Sequence, residues 1–178
     1  MGRLLSHDEW AAQLAGFEAS AFRLELQPAY DEPDDSVARF LAGDPQDPDD
    51  VPEFRAWAAQ VRAITDSGRT ISRVRVHDDP PNGYQRWERW AARQTTAAGE
   101  RIRYMPRPTA LEVGLLPAAG PDDWWLLDEA RLVVMRFDGG RLVASELVDG
   151  PERVAQACAW RDLAVRHSTP DPAGAFTP

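Results

Sequence analysis

Residues 71–90 read ISRVRVHDDPPNGYQRWERW, and the fold turns on this stretch. Val74 and Val76 alternate with Arg73 and Arg75, the period-two pattern of a strand whose faces differ in polarity. Two prolines then stop the strand. Past them Tyr84, Trp87 and Trp90 recur at helical spacing, which predicts a helix from about Tyr84 to Ala98 closed by Gly99. The flanks repeat the theme. Pro52 to Asp66 carries Phe54, Trp57, Ala58, Val61 and Ile64 on one helical face, with Gly68 placed for a C-terminal cap. Glu100–Met105 alternates as a second strand. Helix, strand, helix, strand in this order predicts a βαβ unit with parallel pairing.

Upstream, Ser6 and Glu9 form a capping box that opens a helix bearing Trp10, Leu14 and Phe17. Phe22–Leu26 alternates as a strand, and a short helix runs to Leu41. The acidic, proline-rich Asp44–Asp50 is expected to be mobile. Residues 106–121 read as a loop. Three strands come next, at Trp124–Leu127, Leu132–Phe137 and Leu142–Leu147, with tight turns at Asp128-Glu129 and Asp138-Gly139-Gly140. They predict an antiparallel meander. A last helix runs from about Gly150 to His167. The fold class is therefore α/β: a single domain over residues 1–168, with a mixed sheet, a central βαβ unit, a C-terminal meander and a closing helix. Its helices are expected mainly on one face, and residues 169–178 form a disordered tail.

The chain has 178 residues and a formal net charge of −9, which disfavours direct nucleic-acid binding. All its basic side chains are arginine, so Schiff-base chemistry and P-loop phosphate binding, which need lysine, are excluded. Cys158 is the one cysteine, ruling out an internal disulfide, and a cysteine within a helix beside alanines reads as an inert thiol. No apolar run suits a membrane span, and MGRLLSHDEW turns polar too soon for a signal peptide. A cytoplasmic location is the expectation.

Three constellations could carry function. His77-Asp78-Asp79 ends a parallel strand, where ligands gather in α/β folds. His77 could act there as a base and Asp78 as its neighbour, but the same triplet also suits an Asp-Pro-Pro turn. No third ligand at motif spacing completes a metal site, and no cofactor motif is present. The second constellation is arginine. Arg73 and Arg75 share one strand face, Arg101 and Arg103 share one on the next strand, and Arg23 and Glu25 pair likewise on the first. If these faces coincide, with Arg107 and Asp128 near them, they form either a groove for an anionic small molecule or a solvated face of cross-strand pairs, arginine against Glu25 or Glu100. The third is Trp124-Trp125. Adjacent strand residues point to opposite faces, so one of the two is expected to be exposed or covered by the loop before it, marking a partner surface.

FRLELQPAY, RVRVHDDPPNGYQRWE, AGERIRYMPR and WWLLDEARLVVMRFDGGRLVASELVDGPERV together resemble family 6879 of the domains of unknown function, an actinobacterial group. The resemblance runs from about Phe17 to Val165. It implies no assigned activity and frequent encoding beside small helix-turn-helix regulators, and it implies a shorter Ser-Glu-Pro type turn where this chain has His77-Asp78-Asp79. The element order is also similar to one half of a phospholipase D-type fold, in which a strand bears H-x-K-x4-D ahead of a hairpin. With Asp128 at the Asp place, Pro121 stands at the His place and Asp123 at the Lys place, so this resemblance implies a chain without that hydrolytic route. Two functions stand as expectations. One is a non-catalytic interaction or regulatory domain acting with a helix-turn-helix partner protein, with homodimer formation also compatible. The other is a small enzyme or binding protein for an anionic molecule, using the arginine face and His77.

Overall fold

The computed structural model describes residues 2–171. Eight strands form one sheet: β1 (Arg3–Leu5), β2 (Ser20–Glu25), β3 (Thr70–His77), β4 (Arg101–Pro106), β5 (Asp123–Leu127), β6 (Arg131–Asp138), β7 (Arg141–Val148) and β8 (Thr169–Pro170). Their order is β1-β7-β6-β5-β2-β3-β4-β8. The centre, β2-β3-β4, is parallel, as the βαβ reading requires. β5, β6 and β7 form the antiparallel meander, and β1 closes that edge.

The helices are α1 (His7–Ala15), α2 (Ser36–Leu41), α3 (Pro52–Asp66), α4 (Gly83–Ala91), α5 (Arg93–Ala97), α6 (Arg107–Glu112) and α7 (Pro151–His167). The Ser6–Glu9 capping box opens α1 in both directions, at 2.8 and 3.2 Å. A second box, Asn82 with Gln85, opens α4 immediately after the two prolines. The single helix expected to reach Ala98 turns at Ala92 into α4 and α5. The stretch read as a loop holds α6, with a proline in its first turn, where the missing N–H has no helical partner to lose. In the acidic segment Pro48 and Val51 are buried.

The helices lie on both faces of the sheet rather than mainly on one. Phe22, Leu24, Val74, Met105, Trp124 and Leu132 pack with α6 and α7. Ala21, Ile71, Trp125, Leu127 and Val133 pack on the other face with α1 and α3. Alternation therefore yields two buried faces, and a polar residue on a strand need not be solvated. The chain end also differs from expectation. Thr169 and Pro170, assigned to a disordered tail, pair as β8 with Tyr104 and Arg103, because β4 would otherwise leave its edge hydrogen bonds unmet. Residues 172–178 of that tail lie outside the described residues.

Two turns are pinned by contacts distant in sequence. Asp128 and Glu129 take left-handed backbone conformations, with φ of 55° and 54°. The strain is offset because the Asp128 carboxylate accepts from the backbone N–H groups of Glu18, Ala19 and Ser20 at 2.8–3.1 Å. Gly140, at the tip of the β6–β7 hairpin, has φ of 86°. A Cβ there would sit 2.9 Å from the Asp31 nitrogen. Glycine thus lets the hairpin accept the Asp31 N–H at 3.0 Å, and this fixes the loop that carries Tyr30.

Candidate functional site

Arg23 and Glu25 on β2 stand in register with Arg73 and Arg75 on β3. Three guanidiniums on adjoining strands would repel, and the fold answers with four carboxylates. Glu25 lies at the centre, 2.7 Å from Arg73, 2.6 Å from Arg75 and 3.1 Å from Arg23. Glu100, just before β4, accepts from Arg73 Nε at 2.6 Å. Glu88 on α4 reaches Arg75 at 3.3 Å. Asp123, at the start of β5, binds Arg23 at 2.9 Å, the Leu26 N–H at 2.8 Å and the Tyr30 hydroxyl at 2.5 Å. The network is almost dry, since the Glu25, Glu100 and Asp123 side chains are at most 4% exposed.

The electrostatics separates two of these carboxyls. Burial opposes ionisation of Glu25, but Arg73, Arg23 and Arg75 together outweigh it and hold its carboxyl far below the usual range. Burial also acts on Glu88, and there it prevails. Arg75 only partly compensates, Glu25 adds repulsion, and the carboxyl is pushed up to about 7. Burial likewise raises Tyr30 and Tyr84.

Above this floor lies a cavity of about 450 Å³. Trp10, Phe54, Trp57, Trp87, Trp125 and Phe137 wall it, and Tyr30 and Tyr84 stand beside the charges. The Trp125 ring lies 5.8 Å from the Arg23 guanidinium and 5.9 Å from that of Arg73, so it covers the network from the β5 side. Several polar atoms of these side chains are closed off from the cavity and left without partners. Arg23 Nε, Trp87 Nε1 and Trp125 Nε1 donate to nothing, and Glu100 Oε2 and Gln94 Oε1 accept from nothing, among the described residues. Buried polar atoms left in this state cost about 1–3 kcal/mol each.

Of the residues singled out in the sequence, Arg73, Arg75 and Trp125 meet here. Arg101 and Arg103 do not. The β3–β4 register sets Arg73 beside Ile102 and Arg75 beside Tyr104, so alternation sends Arg101 and Arg103 to the opposite face. Arg103 binds Ser168, after α7, at 3.0 Å. Arg107 donates to the Leu26 carbonyl at 2.7 Å and lies 3.7 Å from Asp78. His77 ends β3 with Nδ1 2.6 Å from the Asp78 carbonyl oxygen, and its ring is 6.4 Å from that of Tyr104. Asp78 takes the Asn82 amide at 3.0 Å, and its own N–H donates to Gln85 at 3.1 Å, which makes it part of the α4 cap. Both tryptophans of the pair are buried, so of the two alternatives exposure fails, and Trp124 shares its core cluster with Ala110, Leu115, Leu116 and Ala119 of the segment before it. Trp124 packs on Phe22 and Trp160, at 5.6 and 6.3 Å. Asp128 serves the start of β2 and Arg131 rather than the arginine face. Sequence reasoning named Glu25 and Glu100 as partners of the arginines, though on a solvated face, and missed Glu88, Asp123, Tyr30 and Trp57. The available signal was charge: paired arginines on a strand whose both faces are covered require carboxylates from their neighbours.

Among the described residues no cluster of histidine, cysteine and carboxylate side chains suits a metal ion, and no helix is long and apolar enough to cross a membrane. Known structures place the architecture. The chain is similar to Nuc, a phospholipase D family member from Salmonella typhimurium, with a TM-score of 0.55 and 11% identity over 96% of this chain and 99% of that one. It is also similar to NucT from Helicobacter pylori, with a TM-score of 0.53 and 8% identity over 96% of this chain and 98% of that one. These likenesses show a phospholipase D-like fold. No curated protein matches the sequence. The model of the family described as Domain of unknown function (DUF6879) matches residues 8–173, and the chain belongs to that family.

Proposed function

We propose that this chain is a non-catalytic binding domain whose aromatic cavity takes a small planar organic molecule, uncharged or singly cationic. One observation carries the reading: a cavity walled by aromatic rings lies over a floor whose guanidiniums are already matched by carboxylates. An anionic ligand would find no unspent positive charge there, whereas flat rings suit a planar aromatic molecule. The phospholipase D-like scaffold supports binding rather than hydrolysis. Counting back from Asp128, proline and a buried, fully engaged Asp123 stand where that chemistry needs His and Lys. The fold alone assigns no activity.

Fluorescence titration with the neutral probe N-phenyl-1-naphthylamine tests the reading. Saturable quenching of the protein's tryptophans is expected, weakened about tenfold in Trp57→Ala by loss of roughly 1.4 kcal/mol of ring contact. No saturation, or equal affinity in the folded variant, would refute it. The interaction reading keeps one observation of its own. β1 covers only Ser145–Leu147 of β7, leaving Leu142 and Val143 exposed at 38% and 53% on an open edge. A partner such as a helix-turn-helix regulator would dock there. Co-purification from the native host, lost in Val143→Asp, is its test.

A further inference from the structure

A second recess lies along the outer edge of β4, a groove of about 910 Å³. Its chemistry is unlike that of the aromatic cavity. Arg89, Arg93, Arg101 and Arg103 line it, and the carboxylates among the lining residues are Glu100 and Asp171. Glu100 is committed to Arg73 and Arg103 is bonded to Ser168, so among the described lining residues Asp171 is the acid left to Arg89, Arg93 and Arg101, on a chain of net charge −9.

Two of the four are oriented in advance. Arg93 stacks 4.0 Å from the Trp90 ring centre and Arg89 4.4 Å from that of Tyr104. A guanidinium held flat on a ring keeps its in-plane N–H edge for an anion, the geometry that favours bidentate contact. The fold already shows such a contact. The Asp171 carboxylate, directly after β8, lies 2.8 and 2.9 Å from Arg89 Nε. Arg101 is exposed and has no ion pair among the described residues. Arg93 reaches Asp47 at 3.3 Å, but both side chains are about half exposed, so that pair holds it weakly.

We propose that this groove binds a small soluble polyanion, a phosphate ester or polycarboxylate, which takes the place of Asp171 on Arg89 and bridges to Arg93 and Arg101. The proposal stands apart from the aromatic cavity and would survive the failure of that reading.

Isothermal titration of the full chain with inorganic pyrophosphate and with citrate, at 0.15 M salt, tests it. Saturable binding is expected, weakened at least about tenfold in Arg93→Ala/Arg101→Ala through loss of two charge-assisted contacts. Both of these side chains are exposed, so the variant should melt with the parent. Asp171→Asn should bind several-fold more tightly, since the internal competitor is removed. No saturation with either probe, unchanged affinity in the double variant, or unchanged affinity in Asp171→Asn would overturn the proposal. So would binding to phosphatidylglycerol vesicles in the absence of pyrophosphate binding, which would assign the groove to a lipid surface.

Discussion

Glu88→Gln should stabilise this protein, and more so as the pH rises. Glu88 approaches Arg75 at 3.3 Å, so its removal could be read as the loss of an ion pair. The network argues the opposite. Arg75 is already bonded to Glu25 at 2.6 Å, and burial lifts the Glu88 carboxyl from 4.5 to about 7. A carboxyl whose folded pKa is raised favours the folded state fully only below its unfolded pKa. That stability is lost as the pH climbs from about 4.5 to about 7. At about 1.4 kcal/mol per unit, ionised Glu88 costs the fold at most about 3 kcal/mol at pH 8 and under about 1 kcal/mol at pH 5. Gln keeps the volume and a donor–acceptor end, and it carries no charge to desolvate. Urea unfolding of parent and variant at pH 5 and pH 8 measures the difference. A midpoint gain at pH 8 that shrinks at pH 5 is expected. A variant less stable at pH 8, or shifted equally at both pH values, would show that Glu88 is a net-favourable partner of Arg75 and that the account of the network is mistaken.

The other perturbations separate structure from site. Glu25→Gln leaves three guanidiniums short of their shared acid, and chemical denaturation should show a loss of about 3–5 kcal/mol at pH 7. Because the folded pKa of Glu25 is depressed, its contribution is present above about pH 4.5 and fades on acidification below that, so parent and variant should converge at low pH. Asp128→Ala unpairs the N–H groups of Glu18, Ala19 and Ser20 and should cost about 2–3 kcal/mol in a thermal melt, with N-phenyl-1-naphthylamine affinity retained in the folded fraction. Trp124→Ala opens the core on the α7 face at about 3–5 kcal/mol, a loss that calorimetry would register. His77→Ala should change stability by less than about 1 kcal/mol, as for a partly buried residue at a strand end, and leave probe binding intact. Loss of binding would return His77 to the site.

Most of the elements were legible because their periods were unambiguous. The apolar face of α3, the capping box at Ser6 and the alternation of β2, β3 and β6 each encode local geometry within a few residues. Face assignment was not legible in the same way. Arg73-Val74-Arg75 and Arg101-Ile102-Arg103 look interchangeable as strings, and nothing in either says which residue lies beside which. Register decides that, and a shift by one residue exchanges every side chain between faces. Here Arg73 lies beside Ile102. The expected four-arginine face therefore splits into a neutralised floor under α4 and part of a basic groove along β4.

The same split explains why the site could be only half seen. A solvated arginine face needs no particular neighbours, whereas a buried one must recruit acids from wherever the chain passes. Glu25 was visible because it shares a strand with Arg23, and Glu100 because it adjoins the strand of Arg101 and Arg103. Glu88 comes from the charged side of a helix, and Asp123 from the strand that in the phospholipase D pattern carries His and Lys. Where that pattern places a cation, Asp123 supplies an anion, and it does so on the face where Arg23 needs one. Asp123 thus completes the buried network. Asp123→Lys would therefore set a fourth cation against Arg23, with Glu25, already shared with Arg73 and Arg75, as the acid left to receive it.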